Sequence, residues 1–494
     1  MARAALMGLD LGTTAVKVGL FDADSGETLG VARAEYTPVG PHPDWVELDA
    51  REYWRAAVEA TRAAHAQAGG ARVVGIGLSS QGQTFVPLDG AHRPLRPAIV
   101  WLDTRAEEQA RRLSAMFDAE ELRRRRGAPA FNAIDSAPKI LWLREHEPEV
   151  WVTTRHLVML PDYLGLLMTG ELRLDLCNAG STGLVDRTVD DWWQAGLDAV
   201  GVPREWLSPL GRPGEPIKEL TAGAAEELGL EAGAPVALGS NDQLNGAVGA
   251  GNVEPGLASG TAGTAMAIIA TLAEMPDPMP DGMNWGKHPV PGLWYLLNYA
   301  KTSGVVLTWL RDLLGAGDYA ALLAEAEQAP VGCDGLACLP HFSGTATPTF
   351  RSDVRGGFVG LTLGHGRGHL VRAAVEAVCY CARDALALTA SVAQEATELR
   401  MLGGAAQSGW WMQAMADTVG LPIAIPACSE AAVLGAAIFG GVAAGRLESI
   451  ESGARRFSRT AKRLEPRDEM ADAYDVAYTA YRDAMERMYP GALG

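Results

Sequence analysis

Three short turns and two acids carry most of the chemistry legible in this chain. Gly12-Thr13-Thr14, Gly263-Thr264 and Gly403-Gly404-Ala405 are turns of small residues. Such turns bring backbone N–H groups against phosphate oxygens, with no side chain in the way. Asp10 ends a hydrophobic run just before the first turn. A carboxylate there can hold Mg²⁺ through water, because Mg²⁺ takes one or two carboxylates together with phosphate oxygens. Asp242 lies between Asn241 and Gln243, in the glycine-rich stretch Gly239 to Gly256. Facing a substrate hydroxyl, it could take the proton as that oxygen attacks phosphorus. Both readings have plain alternatives. A Gly-Thr-Thr hairpin is commonly structural, and Asp242 could be a turn residue or a helix cap.

Other patterns narrow the chemistry. No G-x-x-x-x-G-K-[ST] occurs, so the phosphate turns are not a P-loop. No Gly-x-Ser-x-Gly occurs, which disfavours an α/β-hydrolase. His365 and His369 have the spacing of a helical zinc pair, but glycines interrupt them and no third ligand is near in sequence. In the segment Pro97 to Ala106, Trp101 is followed by Asp103 and Arg105 on what reads as a strand end. A flat ring beside a hydrogen-bonding acid suits a sugar. A buried Trp beside an ion pair is the alternative.

The elements that must position these groups are strands and helices in alternation. Gly8 to Asp22 reads as strand, turn, strand, with Val16, Val18 and Leu20 alternating against Lys17 and Gly19. Ala71 to Ser80 reads as a buried strand, and Arg51 to His65 and Arg105 to Phe117 as helices. This mixture indicates an α/β fold. Gly256 to Ala270 again reads as a small-residue turn and then an apolar strand, with paired Gly-Thr steps, and this weaker echo of the first unit suggests two related domains. The boundary is expected near residue 245, giving domains 1–245 and 246–494, with the glycine-rich stretch as a hinge. In the second half, His369 to Thr389 and Ser429 to Gly445 read as helices. Met401 to Ile423 reads as strand, turn, helix and exit turn.

Composition sets limits. At 494 residues the chain is too long for one ordinary core. With 48% apolar and 21% charged residues it reads as globular, not disordered. The formal charge of −18 argues against a nucleic-acid partner. It leaves ATP open, whose charge local N–H groups can offset. Arg123 to Arg126 is the one basic cluster and reads as a solvated helix face. Six scattered Cys, none in a C-x-x-C pair, fit reduced buried thiols. With no apolar stretch suited to spanning a bilayer, the expected compartment is the cytoplasm and no membrane partner is expected.

Taken together, these segments resemble the FGGY carbohydrate kinase family, over about residues 5 to 445. Gly8 to Lys17 is similar to its first phosphate motif, and Pro97 to Ala106 to its sugar-site strand. Ser136 to Trp151 and His341 to Val378 resemble its two signatures, and Gly403 to Ile423 its adenosine motif. The resemblance implies two ribonuclease-H-like (actin/hexokinase-like) domains with ATP and sugar in a cleft between them. It implies that Asp242 is the general base and that Asp10 orients Mg²⁺. Gly12, Thr13, Thr14, Gly263 and Thr264 would flank the ATP phosphates. Gly304, Gly404 and Ser408 would contact the nucleotide. Gln81, Gly82, Gln83, Trp101 and Asp103 would face the sugar. The sugar site departs from the family's xylulokinase pattern, in which Met and His stand where Gly82 and Gln83 stand here. The substrate expected first is a pentulose such as xylulose; a polyol such as xylitol, erythritol or glycerol comes next. A catalytically silent sugar or nucleotide regulator and an actin-like phosphohydrolase are the rival functions. A homodimer is an expectation from the family alone.

Overall fold

The computed structural model describes residues 3–277 and 283–493. The chain divides into two compact units. The first comprises Met1–Val253, Gly286–Gly292 and Glu430–Ser458; the second comprises Glu254–Trp285, Leu293–Ser429 and Arg459–Gly494. The division thus falls after Val253 and not near 245, and two later segments return to the first unit. The return has a physical cause in the helix Ala431–Ala443, whose small residues fit a surface that larger ones could not approach.

Each unit has one large sheet, and the two large sheets share a pattern. In the first, the strands lie in the order Pro216–Glu219, Pro235–Asn241, Arg72–Ser80, Ala4–Leu11, Ala15–Asp22, Thr28–Glu35. The three strands from Ala4 to Glu35 are antiparallel; Ala4–Leu11 then pairs parallel with Arg72–Ser80, which pairs parallel with Pro235–Asn241. In the second unit, Leu257–Ala262, Met266–Leu272 and Trp294–Ala300 are antiparallel. Leu257–Ala262 pairs parallel with Glu398–Leu402, which pairs parallel with Ile423–Pro426. Both sheets end in one more antiparallel strand. The repeat expected from Gly256 to Ala270 is therefore a repeat of the whole sheet.

The strand Ala4–Leu11 is buried on both faces. Ala5, Met7, Leu9 and Leu11 pack with Tyr53, Ala56, Ala57 and Ala60 of the helix Ala50–Gln67. The opposite face carries Gly8 and, on the neighbouring strand, Gly75 and Gly77. A β-carbon on Gly8 would lie 1.8 Å from the Val433 carbonyl oxygen, and one on Gly77 1.8 Å from that of Ala436. The helix Ala431–Ala443 lies directly on this glycine surface. It also packs against the helix Asp242–Gly249, where a β-carbon on Gly249 would lie 1.8 Å from the Ala431 carbonyl oxygen. The glycine-rich stretch Gly239 to Gly256 is accordingly the end of a strand, the helix Asp242–Gly249 and then a turn segment, 250–256, with Gly251 and Gly256 at positive φ, in which the division between the units falls.

The Arg123–Arg126 cluster ends a short helix, Ala119–Arg126. It is paired more than solvated: Arg125 meets Glu121 and Asp186, and buried Arg126 meets Asp135. All six Cys are free, four of them buried.

Overpacking a tight contact costs about 1–3 kcal/mol or more. Gly77→Val should lower the first unit's melting transition by roughly 5–10 °C. Gly223→Ala, in a helix with open space around it, should leave it unchanged or slightly raised. Differential scanning calorimetry of both variants checks the contrast; equal melting would remove the glycine surface as a constraint.

Candidate active site

The first turn is shaped by where its carbonyls go. Leu11 O accepts from Gln81 N at 2.9 Å, and Thr14 O from Tyr36 N at 3.0 Å. Gly12 O accepts from the Tyr36 hydroxyl and from Gln81 Nε2. The N–H groups of Thr13 and Thr14 have no partner among the described residues. Carbonyls held and amides free make an anion-binding turn. The second turn repeats the design. Gly263 O accepts from Gly304 N at 2.7 Å and Thr264 O from Ser303 N at 2.9 Å. Gly304 is glycine for a steric reason, since a β-carbon would lie 2.6 Å from Gly263 O.

Within the second unit a cavity of about 800 Å³ is lined by Gly263, Thr264, Gly304, Gly404 and Ser408, with Leu307, Leu323 and Trp410 among its apolar walls. All five nucleotide-side positions expected there are brought together. Gly403, at φ +84°, turns the chain into the Gly404–Gln407 segment. Ser408 caps the helix Gly409–Val419 by accepting from Trp411 N. Sequence reasoning missed the pair Thr308 and Tyr319, whose hydroxyls lie 2.8 Å apart on the same wall.

In the first unit, Asp10 and Asp242 share an electrostatic environment. Asp10 follows Gly8 on the glycine face and pairs in register with Ser79, whose hydroxyl donates to Asp10 Oδ1 at 2.6 Å. Asp10 is 7% exposed, and burial raises its pKa, opposed by Ser79 and Lys17 and reinforced by Glu430. Asp242 is the first residue of the helix Asp242–Gly249, capped by Asn241, which accepts from Leu244 N at 2.9 Å. Its Oδ1 accepts from Gln243 N at 2.8 Å. Burial, then the charge of Asp10, pushes its pKa up to about 7, against the pull of Gln243 N–H and Lys17. Lys17, held at 2.7 Å by Glu430, is the nearby cation that sequence reasoning passed over. It appeared only as a polar beat in an alternating strand.

The residues expected to face a sugar separate into two groups. Gln83 is a non-glycine residue at φ +55°, a costly conformation. It is pinned from both sides: its N–H donates to Ser181 Oγ at 3.1 Å, and its carbonyl accepts from Ser136 Oγ at 3.0 Å. Gly82 packs against the same serine, so that a β-carbon would lie 3.0 Å from Ser181 Oγ. A methionine there would displace Ser181. Trp101 is half-buried, and its Nε1 donates to Thr13 Oγ1 at 2.8 Å. Gln81 and Asp103 are buried. Gln81 is 2% exposed; its Nε2 donates to Gly12 O, while its Oε1 has no partner among the described residues. Asp103 is fully buried, and its carboxylate accepts from Val46 N at 2.6 Å and pairs with Arg105 at 2.6 Å. The Asp103 carboxylate therefore braces its own neighbourhood, a correction to its expected place against a sugar.

The donors present fit Mg²⁺. Asp10 keeps Oδ2 uncommitted beside a phosphate-type turn. No cluster of three or more His, Cys, Asp or Glu able to hold a metal occurs among the described residues. An ion completed by phosphate oxygens and water needs no such cluster.

Two family models account for most of the chain. Residues 5–249 match the N-terminal domain, and residues 258–444 the C-terminal domain, of the FGGY family of carbohydrate kinases. The chain belongs to the FGGY family. Xylulose kinase of Escherichia coli strain K12 is 32% identical over 418 residues, 84% of each chain. The crystal structure of a xyloylose kinase from Brucella ovis superposes with a TM-score of 0.89 at 30% identity, covering 98% of this chain and 99% of that one. A xylulose kinase structure from Rhodospirillum rubrum also gives 0.89, at 29% identity and the same coverage. This FGGY protein is an ATP-dependent sugar kinase on the ribonuclease-H-like, actin-like fold. No described helix is long and apolar enough to cross a membrane.

A raised carboxylate pKa means that the folded state binds a proton the unfolded chain releases. Stability from this group is therefore present below about pH 4 and lost as pH rises to about 7. Asp242→Asn should melt like the wild type near pH 4 and be stabilised above pH 7, by up to about 4 kcal/mol. Chemical unfolding of both proteins at the two pH values tests this; equal stability at pH 8 would mean that Asp242 ionises without strain.

Proposed function

We propose that this FGGY kinase phosphorylates a hydroxyl of a pentulose, with xylulose the first candidate, using MgATP and Asp242 as the general base. The observation that carries the mechanism is the half-buried carboxylate at the start of the helix Asp242–Gly249, with a pKa near 7. A base with that affinity takes a hydroxyl proton effectively near neutral pH. Kinship with xylulose kinases supports the pentulose.

Each residue then has a task. Asp242 receives the hydroxyl proton as the oxygen bonds to the γ-phosphorus and the bond to the ADP oxygen breaks. The free N–H groups of Thr13 and Thr14, and the turn at Gly263-Thr264, stabilise phosphate charge, the dominant contribution in phosphoryl transfer. Gly304, Gly404 and Ser408 hold the nucleotide. Mg²⁺, held through water by Asp10, would supply further neutralisation of the phosphates. Gln83 and Trp101 define the acceptor side, with Gly82 leaving room for Ser181. Cytoplasmic placement fits ATP use and the free thiols.

ADP release with MgATP should rise far above the no-sugar control on one member of a panel of pentuloses, hexuloses and polyols, with D-xylulose tested first. Asp242→Asn should lower kcat by about 10³-fold while MgATP affinity stays within about threefold. In the wild type, kcat/KM for the sugar should fall tenfold per pH unit below about 7. An Asp242→Asn enzyme with near-normal turnover would sink the base assignment. ATP binding without stimulation by any sugar would favour the silent regulator, and full-rate hydrolysis without sugar the phosphohydrolase.

A further inference from the structure

Trp101 makes a contact that a sugar-facing ring does not require. Its indole Nε1 donates to Thr13 Oγ1 at 2.8 Å. A threonine hydroxyl has one proton to give and two directions in which to accept. With an accepting direction occupied by the indole, the Thr13 proton is left to donate, and no side chain among the described residues takes it. Both residues are half-buried, so the bond lies at the edge of the site and not in the core.

Much of the surrounding packing serves to hold this ring. The Trp101 N–H donates to Thr84 Oγ1 at 3.0 Å. The preceding carbonyl, Val100 O, accepts from Lys139 Nζ at 3.2 Å and from Asp103 N at 3.0 Å. Lys139 is fully buried, and among the described residues its Nζ donates to this carbonyl alone. Asp103 in turn anchors Val46 and Arg105, and the Arg105 guanidinium lies 3.8 Å over the ring of Trp45. Burial lowers the Lys139 pKa to about 7, and withdrawing an amine and an acid from water to brace a four-residue turn is costly. That cost is understandable if the orientation of the ring matters.

We infer that Trp101 is a positioning residue for phosphoryl transfer: its indole N–H fixes the Thr13 hydroxyl as a donor aimed at the phosphoryl group. This rests on the reading of Thr13 as a phosphate contact. A free hydroxyl would rotate between donating and accepting, and an acceptor turned toward phosphate oxygens repels them. A hydroxyl preset as a donor needs no reorganisation during the reaction.

The test is a double-mutant cycle with two readouts. Trp101→Phe keeps a ring and removes the N–H; Thr13→Val keeps the shape and removes the hydroxyl. On the best sugar of the panel, Trp101→Phe should lower kcat about tenfold with the sugar KM within about threefold. The double variant should be no slower than Thr13→Val alone. Calorimetric binding of MgADP with aluminium fluoride to the same four proteins should show the same non-additivity without turnover. Effects that multiply, or an effect of Trp101→Phe confined to the sugar KM, would overturn the proposal and leave the ring as a wall. If Trp101→Phe does not fold, Thr84→Val, which releases the Trp101 backbone, should lower kcat in the wild-type background and not in Thr13→Val. A wild-type enzyme that no sugar stimulates would sink the kinase reading instead, and the fluoride-complex cycle would still decide the role of Trp101.

Discussion

The first unit depends on how closely one helix approaches one sheet. The helix Ala431–Ala443 meets Gly8, Gly75 and Gly77 at distances that exclude a β-carbon. Glycine weakens a strand, because it loses more conformational entropy on folding and offers no side chain to pack. Here that loss is accepted at three places on adjacent strands in exchange for close backbone packing. The same alternation that puts Gly8 on the glycine face puts Asp10 there two residues later. The helix that carries Asp242 rests on the other flank of the same small-residue helix through Gly249 and Gly435. A single packing surface therefore sets the placement of both carboxylates, and a shift of the helix would move them together.

That placement explains the electrostatics. Burial and a neighbouring acid both disfavour ionisation, and both act on Asp242. The Gln243 N–H and Lys17 limit the rise, so that the group titrates near neutrality and is not locked in its protonated form. Lys17 is itself restrained by Glu430 at the start of the small-residue helix. The helix thus contributes both backbone contact and a charge that orients the local cation. The affinity of Asp242 for a proton is a property of packing as much as of its own residue type.

The local pattern was legible where it had one physical meaning. Alternating apolar residues from Ala15 to Asp22, the long helix Arg367–Ala390, and the strand, turn and helix after Glu398 all follow their periodicity. Glycine was harder, because it signals both a flexible turn and a close approach. At Gly12 and Gly263 it makes turns; at Gly239 and Gly249 it permits packing, and within one stretch, Gly239 to Gly256, it does both, since Gly251 and Gly256 take positive φ after the helix. The destinations of polar side chains were not legible at all. Gln81 and Asp103 have the right chemistry for a sugar, yet their hydrogen bonds go to Gly12 O and Val46 N. Nor could the return of Glu430–Ser458 to the first unit be read, since it depends on matching two small-residue surfaces far apart in the chain.

The repeated sheet also separates what the two units have in common from what belongs to the first alone. In both units a Gly-Thr turn joins the first two strands, its carbonyls are tied down by later segments, its glycine N–H is used within the turn, and its threonine N–H groups have no partner among the described residues. Such turns recognise phosphate, which every member of a kinase family shares, so they carry no information about the acceptor. The departures from the xylulokinase pattern fall elsewhere, at Gly82 and Gln83. There the backbone is in an unfavourable region and is held by Ser136 and Ser181 from two other segments. Strain of that kind persists only where the surroundings over-determine it. A side chain at position 82 would press on Ser181, so a change there is coupled to the serine that clamps the loop. The Gln83 side chain is therefore presented by a backbone that Ser136 and Ser181 set, and a single substitution at Gln83 would alter the side chain without altering the backbone that presents it.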